Sequence, residues 1–263
     1  MTRVGLIGYG TIGVELHRML ALQHHDSIQV TAVWTRGQSS HTADVPAATR
    51  VASLAGLATA RPDIVVEAAS AALVSEFGAK ILEFADFMPL SLTALADEGV
   101  LAQLLAVAHA SRHRLLIPHG AVVGADALLE SQAQWKSVSI EFRKPPGSID
   151  RAESPAADGG LSTPTVLFDG SVRDIAHQYP RNVNAMVACA LLTTGLDDCH
   201  ARLVADPALR HAELRIAATG KDGSELQITR RQPMVGVSGT EMARSLLGSL
   251  RRACALSETL QFV

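Results

Sequence analysis

The most constraining feature of the sequence is a glycine-rich motif near its start, G-x-G-x-x-G at residues 8–13. A short apolar stretch precedes the motif, a helical pattern follows it, and a second apolar stretch comes at 28–34. In this β-α-β context the first glycine allows a tight turn, the second lets the backbone approach a pyrophosphate, and the third lets the helix pack on the strand. The motif therefore predicts a dinucleotide site. Its candidate binding residues are Gly8, Gly10, Thr11, Ile12 and Gly13.

Strands and helices alternate from the motif to about residue 118, including a predicted strand at 115–118. This alternation is typical of an α/β fold with a doubly wound parallel sheet. After residue 118 the pattern changes to alternating, antiparallel-type strands, with a hairpin turn at 221–224. A closing amphipathic helix is predicted over 240–256.

Two further stretches bear on the cofactor. Arg36 follows the second strand, where a carboxylate would hold the ribose 2′-hydroxyl of NAD and an arginine would accept the 2′-phosphate of NADP. No carboxylate is present there, so the sequence favours NADP without excluding NAD; the alternative is a solvated loop arginine. The strand at 62–70 ends in the small residues Ala68 and Ala69, which leave room for a ligand at its carboxyl end.

Composition excludes several classes of partner. The net charge is −3 and the sequence has no run of Lys or Arg, which argues against nucleic acid or an anionic membrane. No window approaches the ~18 apolar residues of a membrane span, and no targeting segment is evident, so we expect a cytoplasmic protein that binds a small metabolite. The three cysteines are widely spaced, which indicates packing residues rather than disulfides or a metal site.

Eight motifs together resemble those of the L-aspartate dehydrogenase family, from one end of the chain to the other. They are GYGTIG at 8–13, VVEAA at 65–69, ALAD at 94–97, GAVVGADAL at 120–128, RKP at 143–145, FDGSVR at 168–173, YPRNVN at 179–184 and Ala-Asp-Pro at 205–207.

The resemblance implies two domains. The first is a Rossmann dinucleotide-binding domain over 1–117, completed by a C-terminal helix within 239–263. The second is an α+β domain for substrate binding and dimerisation over 118–238. The resemblance also implies a homodimer that interconverts L-aspartate with iminosuccinate, or with oxaloacetate plus ammonia, using NAD(P).

The sequence departs from the family where the chemistry is expected. The family associates proton transfer with a histidine in an Asn-x-His pattern, about eight residues after Asp-Pro. An ungapped alignment from Asp206 places Ala212 at the asparagine and Leu214 at the histidine. The residues at 237–241 retain only the threonine of an Asn-Pro-Lys-Thr-Ser stretch, and Thr93 replaces the glycine of a Ser-x-Gly-Ala turn.

Other residues are candidates for the missing role. His119 lies at a strand-end turn that the resemblance places near the nicotinamide, and an imidazole titrates near neutral pH. Lys144 is a second candidate base, or a cation for a substrate carboxylate. The third candidate is His211, a histidine three residues before the lost position. The candidate substrate-binding residues are Arg143, Asn182 and Asn184; the alternative for the two asparagines is helix capping.

Three hypotheses remain open from the sequence. The chain is an oxidoreductase for a small amino, imino or keto acid other than aspartate, an aspartate dehydrogenase that tolerates the loss of the histidine, or a catalytically silent NADP-binding sensor or regulator.

Overall fold

The computed structural model describes residues 1–22, 27–36, 44–150, 161–235, 238–239 and 241–254. Its helices and strands, in chain order, are β1 (Thr2–Ile7), α1 (Thr11–Leu22), β2 (Ile28–Trp34), β3 (Arg50–Val51), α2 (Leu54–Thr59), β4 (Ile64–Glu67), α3 (Ala71–Leu82), β5 (Asp86–Pro89), α4 (Glu98–Ser111), α5 (Ala125–Glu130), β6 (Trp135–Lys144), β7 (Thr165–Ser171), α6 (Val172–Gln178), α7 (Asn184–Leu192), β8 (Cys199–Ala205), β9 (Ala212–Gly220), β10 (Glu225–Gln232), β11 (Met234–Val235), β12 (Ser238–Gly239) and α8 (Met242–Ala253).

The chain divides into two compact units. The first contains residues 1–91, 101–118 and the segment from Ala243 onward, and the second contains 92–100 and 119–242. The domain limits implied by the resemblance, at 117/118 and 238/239, stay predictions. The short 3₁₀ helix Leu92–Ala96 groups with the second unit, and no sequence signal indicated this.

The first unit is built on a parallel five-stranded sheet in the order β3-β2-β1-β4-β5. This confirms the α/β fold with a Rossmann-type parallel sheet. The predicted strand at 115–118 is wrong, because only Leu115 forms a bridge, to Phe87. The core joins apolar residues of β1, β2 and β4 to helices α1 and α8, and α8 contributes Leu246, Leu247 and Leu250. Of the predicted closing helix, residues 240, 255 and 256 lie outside the described part.

The second unit is built on a mixed five-stranded sheet in the order β10-β9-β6-β8-β7. β6 runs parallel to β8 and antiparallel to β9. The predicted hairpin is confirmed: β9 and β10 pair antiparallel, and Gly223 in the turn has φ of +86°. Along β6 the residues alternate between a buried face, which includes Ile140 and Phe142, and a partly exposed face. The almost wholly buried helix α7 packs on this sheet.

None of the helices within the described ranges is long and apolar enough to cross a membrane.

Candidate cofactor and substrate sites

The glycine turn between β1 and α1 has the conformation that the motif predicts. Gly8 has φ of +89°, which favours glycine. A Cβ atom at Gly8 would lie 2.5 Å from the carbonyl oxygen of Ala68, and one at Gly13 would lie 2.5 Å from the carbonyl oxygen of Gly8. A side chain at either position would therefore displace backbone. Gly13 packs against the turn itself rather than against the body of the strand.

Gly10 has a different environment. Among the described residues, no atom beyond its chain neighbours lies within 4 Å of the position that its Cβ would take. This open space lies beside the start of α1, where the first backbone amides have no partner within the helix. Such amides and the helix dipole stabilise an anion. The turn therefore fits a dinucleotide pyrophosphate, and packing within the described residues does not require glycine at position 10.

The end of β4 lies next to this turn. Ala68 is half-buried and Ala69 is exposed, as expected for small residues at the carboxyl edge of the sheet. The amide of Ala68 donates to the carbonyl of Ile7 at 2.8 Å. Glu67, the last residue of β4, is fully buried and accepts hydrogen bonds from the amides of Ala69 and Ser70. We did not predict Glu67 as a site residue, because its partners become visible only in three dimensions.

A second contact that the sequence did not reveal anchors the glycine turn. The Tyr9 hydroxyl lies 2.7 Å from Nδ1 of His17 on α1, and the two rings pack edge to face. Burial lowers the pKa of His17, which favours its neutral form at physiological pH. A neutral Nδ1 accepts a hydrogen bond from the tyrosine and so ties the turn to its helix.

Arg36 follows β2, as the cofactor prediction requires. Its Nη1 lies 2.7 Å from Oε2 of Glu76 on α3, and its guanidinium stacks over the Phe77 ring at 5.6 Å. Both charged side chains are partly exposed. Trp34 is buried against the edge of Phe77, so it acts as a packing residue.

In the second unit, the ammonium group of Lys144 is buried. Lys144 is 3% exposed, its Nζ donates to the Asn182 carbonyl at 3.0 Å, and Nζ lies 4.8 Å from the centre of the Phe142 ring. Burial lowers the pKa of Lys144 to about 8. No carboxylate within the described ranges forms an ion pair with it. Among the described residues its hydrogen-bond acceptor is a neutral carbonyl, so the site favours an amine that exchanges its proton near neutral pH.

Arg143 and Lys144 do not meet in one basic site. Successive strand residues point to opposite faces of a sheet, and Arg143 lies on the face opposite Lys144. Its Nη2 lies 2.9 Å from Oδ2 of Asp206, which is itself nearly buried. Across the ladder Arg143 pairs with Glu213, whose carboxylate also contacts Arg215 and Arg231. The ion pair of Arg143 is thus with Asp206, and Glu213 pairs with two other arginines on the same face of the sheet.

The two candidate asparagines hold backbone rather than cap a helix. The Asn182 side chain accepts from the Asp150 amide at 2.9 Å and donates to the Asp150 carbonyl at 2.8 Å. The Asn184 side chain accepts from the Thr93 amide at 3.2 Å, and the Thr93 hydroxyl donates to the Pro180 carbonyl at 2.9 Å. Neither asparagine caps α7, whose N-cap position is Val183 with no side-chain hydrogen bond.

The structure also shows the environment of the altered histidine position. Leu214 is 2% exposed, lies on the inner face of β9 and pairs with Phe142 of β6. The register between these strands is regular from Ser137 to Arg143, so no slip brings His211 to this point. His119 is half-buried, and its carbonyl accepts from the Val122 amide at 2.9 Å in a turn before α5. Of the 237–241 stretch, residues 237 and 240 lie outside the described part.

Comparison with known proteins identifies the family. The chain is 34% identical over 224 residues to L-aspartate dehydrogenase of Brucella anthropi, with 83% of each chain covered. It is 30% identical over 265 residues to L-aspartate dehydrogenase 2 of Bordetella bronchiseptica, with 96% of this chain and 97% of that protein covered. The chain belongs to the aspartate dehydrogenase family.

Two family models divide this aspartate dehydrogenase-type chain much as its folded units do. Residues 8–118 match the NAD-binding domain of homoserine dehydrogenase, and residues 126–253 match the C-terminal domain of aspartate dehydrogenase. The crystal structure of aspartate dehydrogenase from Thermotoga maritima is 26% identical, covers both chains completely and superposes with a TM-score of 0.75. This member of the family is an NAD(P)-dependent oxidoreductase of the aspartate dehydrogenase type.

Proposed function

We propose that this enzyme transfers a hydride between a nicotinamide cofactor and the α-carbon of a small amino or imino acid, with Lys144 as the group that moves the proton. L-Aspartate and iminosuccinate are the first substrate pair to test. The observation that carries the proposal is the buried Lys144 ammonium, which donates a hydrogen bond to a backbone carbonyl and not to a carboxylate.

The position of Lys144 supports this assignment. Phe142 pairs with Leu214 across the β6–β9 ladder, and Lys144 lies two residues further along the same face of β6. Side chains diagonally related in this way are about 7–8 Å apart at their backbones, within reach of a long side chain. An amine at 144 therefore serves the same part of the inner face as the histidine that the family carries at position 214.

The chemistry requires a base that takes a proton from the substrate ammonium or from the attacking water. When bound, the cofactor supplies the nicotinamide that gives or accepts the hydride. Lys144, with its pKa lowered to about 8, is partly neutral at physiological pH and accepts a proton more readily than an exposed lysine does. His119 is the second candidate for this step, because an unperturbed imidazole exchanges its proton near neutral pH.

The assignments around this step belong to the same proposal. The first unit binds the dinucleotide through the turn at 8–13 and through Ala68 and Ala69, with NADP preferred because of Arg36. The second unit binds the substrate and forms the homodimer. Arg143, Asn182 and Asn184 stay predicted substrate-binding residues, although each side chain already has a protein partner.

The decisive experiment measures NADPH and NADH oxidation with oxaloacetate plus ammonia, beside a panel of other 2-keto acids and cyclic imines. Lys144→Met is compared with Lys136→Met, which removes an exposed lysine from the same strand. We expect turnover that Lys144→Met lowers by about 10²-fold or more and that Lys136→Met leaves unchanged.

Each other outcome points elsewhere. Activity with another acid but not with oxaloacetate would redirect the substrate assignment within the same chemistry. Turnover that is indifferent to Lys144→Met would move the proton-transfer role to His119. No turnover with any substrate, together with tight NADPH binding, would favour a catalytically silent sensor.

A further inference from the structure

Glu67 is a buried carboxylate at the carboxyl edge of the parallel sheet. It ends β4 and is 0% exposed. Its Oε1 accepts from the amide of Ala69 at 2.6 Å, the amide of Ser70 at 2.7 Å and the hydroxyl of Ser91 at 3.0 Å. Its Oε2 accepts from the amide of Ser91 at 3.1 Å. Four donors thus converge on one side chain.

This donor set fits a carboxylate rather than a neutral acid. Burial raises the pKa of Glu67, while the hydrogen bonds from Ala69, Ser70 and Ser91 act in the opposite direction. An ionised carboxylate is an acceptor only, and four N–H and O–H groups aimed at its two oxygens satisfy it. If one of the two oxygens were protonated, its hydrogen would point toward one of these N–H or O–H donors and the two would repel each other.

The donors belong to two turns that leave neighbouring strands. Ala69 and Ser70 lie between β4 and α3, and Ser91 follows β5 at the point where the chain leaves the first unit. The first turn also touches the glycine turn, because a Cβ at Gly8 would lie 2.5 Å from the Ala68 carbonyl oxygen. Glu67 therefore fixes the spacing of these turns along the edge where parallel α/β sheets bind their ligands.

We infer that Glu67 is a positioning residue for the dinucleotide: by joining the turn after β4 to the turn after β5, it holds the Ala68–Ala69 backbone against the glycine turn. The inference rests on the proposed function in one respect, namely that the turn at 8–13 binds the cofactor. Glu67 itself is buried beneath the surface and does not contact the ligand.

The test uses the unequal numbers of hydrogen bonds at the two carboxylate oxygens, three at Oε1 and one at Oε2. In Glu67→Gln, we expect the one remaining side-chain oxygen to keep the position of Oε1 and its three donors. The new NH₂ group then takes the place of Oε2, where it cannot accept a hydrogen bond from the Ser91 amide. Ser91→Ala removes only the hydroxyl donor. Ser75→Ala is the matched control, since Ser75 is exposed on α3 and bonds only within its helix.

Two measurements are made on each folded variant. One is the dissociation constant for NADPH and NADH by fluorescence, and the other is hydrogen exchange of the Ser91 and Ala69 amides without cofactor. We expect Glu67→Gln to weaken binding of both cofactors by about tenfold and Ser91→Ala to weaken it by a few-fold, with faster exchange of the residue 91 amide in Glu67→Gln, which loses the acceptor of that amide. Because both variants loosen the contact between Glu67 and the turn after β5, their effects on binding should be less than additive in the double variant.

Unchanged dissociation constants in folded variants would overturn the inference, because a purely structural role lowers stability without changing the affinity of folded molecules. A loss confined to NADPH would also overturn it, since that pattern belongs to Arg36. If Glu67→Gln does not fold, Ser91→Ala alone decides. Failure of the proposed function is recognised separately, by a Gly10→Val variant that still binds cofactor.

Discussion

The Nη1 atom of Arg36 lies 2.7 Å from Oε2 of Glu76, so the cation predicted to receive a 2′-phosphate already has a carboxylate partner. Both side chains are partly exposed, and an exposed ion pair contributes about 0–1 kcal/mol. A phosphate dianion that accepts charge-assisted hydrogen bonds from the same guanidinium contributes more. We therefore expect the pair to weaken NADPH binding slightly without preventing it.

We predict opposite effects for the two members of this pair. Arg36→Ala should weaken NADPH binding by roughly 10-fold or more and leave NADH binding unchanged, because only NADPH carries the ribose 2′-phosphate. Glu76→Gln should strengthen NADPH binding by up to about fivefold. The check is titration with both cofactors, with Glu83→Gln as a control for net charge at the end of the same helix. Equal responses of NADH and NADPH would show that Arg36 does not select the cofactor.

The glycine turn offers a contrast between ligand and fold. Gly10→Val should abolish binding of both cofactors while the melting temperature stays close to that of the wild type, because a Cβ at this position has no neighbour within 4 Å among the described residues. Gly13→Ala should lower the melting temperature, since its Cβ would lie 2.5 Å from the Gly8 carbonyl oxygen. Binding titrations and thermal unfolding check the two variants together. A strongly destabilised Gly10→Val protein would contradict this division.

The lowered pKa of Lys144 predicts a pH dependence of stability. Its pKa is about 8 in the folded chain because of burial, against roughly 10.4 for an unperturbed lysine. Between these values the unfolded chain binds more protons, so the free energy of unfolding should rise with pH over this window. The rise that Lys144 contributes is at most about 3 kcal/mol. Urea unfolding of wild type and Lys144→Met at several pH values measures the difference.

Subtracting the unfolding free energy of Lys144→Met from that of the wild type at each pH serves as the control. The other groups that titrate above pH 8 are present in both proteins, so their contributions cancel. Lys144→Met should also be the more stable protein near pH 7, since it removes a buried charge. Identical pH profiles for the two proteins would mean that Lys144 titrates normally and is not the proton-transfer group.

Position 214 provides a gain-of-function prediction. Leu214→His should raise turnover of L-aspartate by about tenfold or more, because it returns an imidazole to the inner face of β9. The polar ring should cost about 1–3 kcal/mol of stability, since Leu214 is buried. Steady-state kinetics and unfolding measure both effects, and Leu214→Met tests whether any change of shape at the site suffices. No gain in a folded Leu214→His protein would show that this position does not limit proton transfer.

Local features of the fold were predictable from the sequence. The turn at 8–13 and the hairpin at 221–224 depend on glycine conformations and on short-range patterns, and both occur as expected. The strand at 115–118 was not predicted correctly, because its apolar pattern is real but only Leu115 finds a neighbour in the sheet. Membership in a sheet depends on partners that are distant in the sequence.

The candidate site was less predictable for the same reason. The opposite faces of Arg143 and Lys144 follow from strand alternation, but their partners Asp206 and Asn182 are supplied by distant segments. An asparagine side chain can bind a substrate or cap a helix equally well, so the sequence does not distinguish these roles for Asn182. Its hydrogen bonds with the backbone of Asp150 show that it holds a neighbouring segment. Glu67 lies in the VVEAA motif that carries the family resemblance, but the sequence did not show that its carboxylate joins two turns.

The first unit draws its core from both ends of its sequence. Leu246, Leu247 and Leu250 of α8 pack with residues such as Val4 and Val33. During synthesis on the ribosome, β1 and β2 therefore emerge long before the helix that covers them. The face of the Rossmann sheet that α8 covers stays incomplete until residues 243–250 have been translated. By then every strand of the second unit's sheet has already been made, so the first unit begins first and completes its core last.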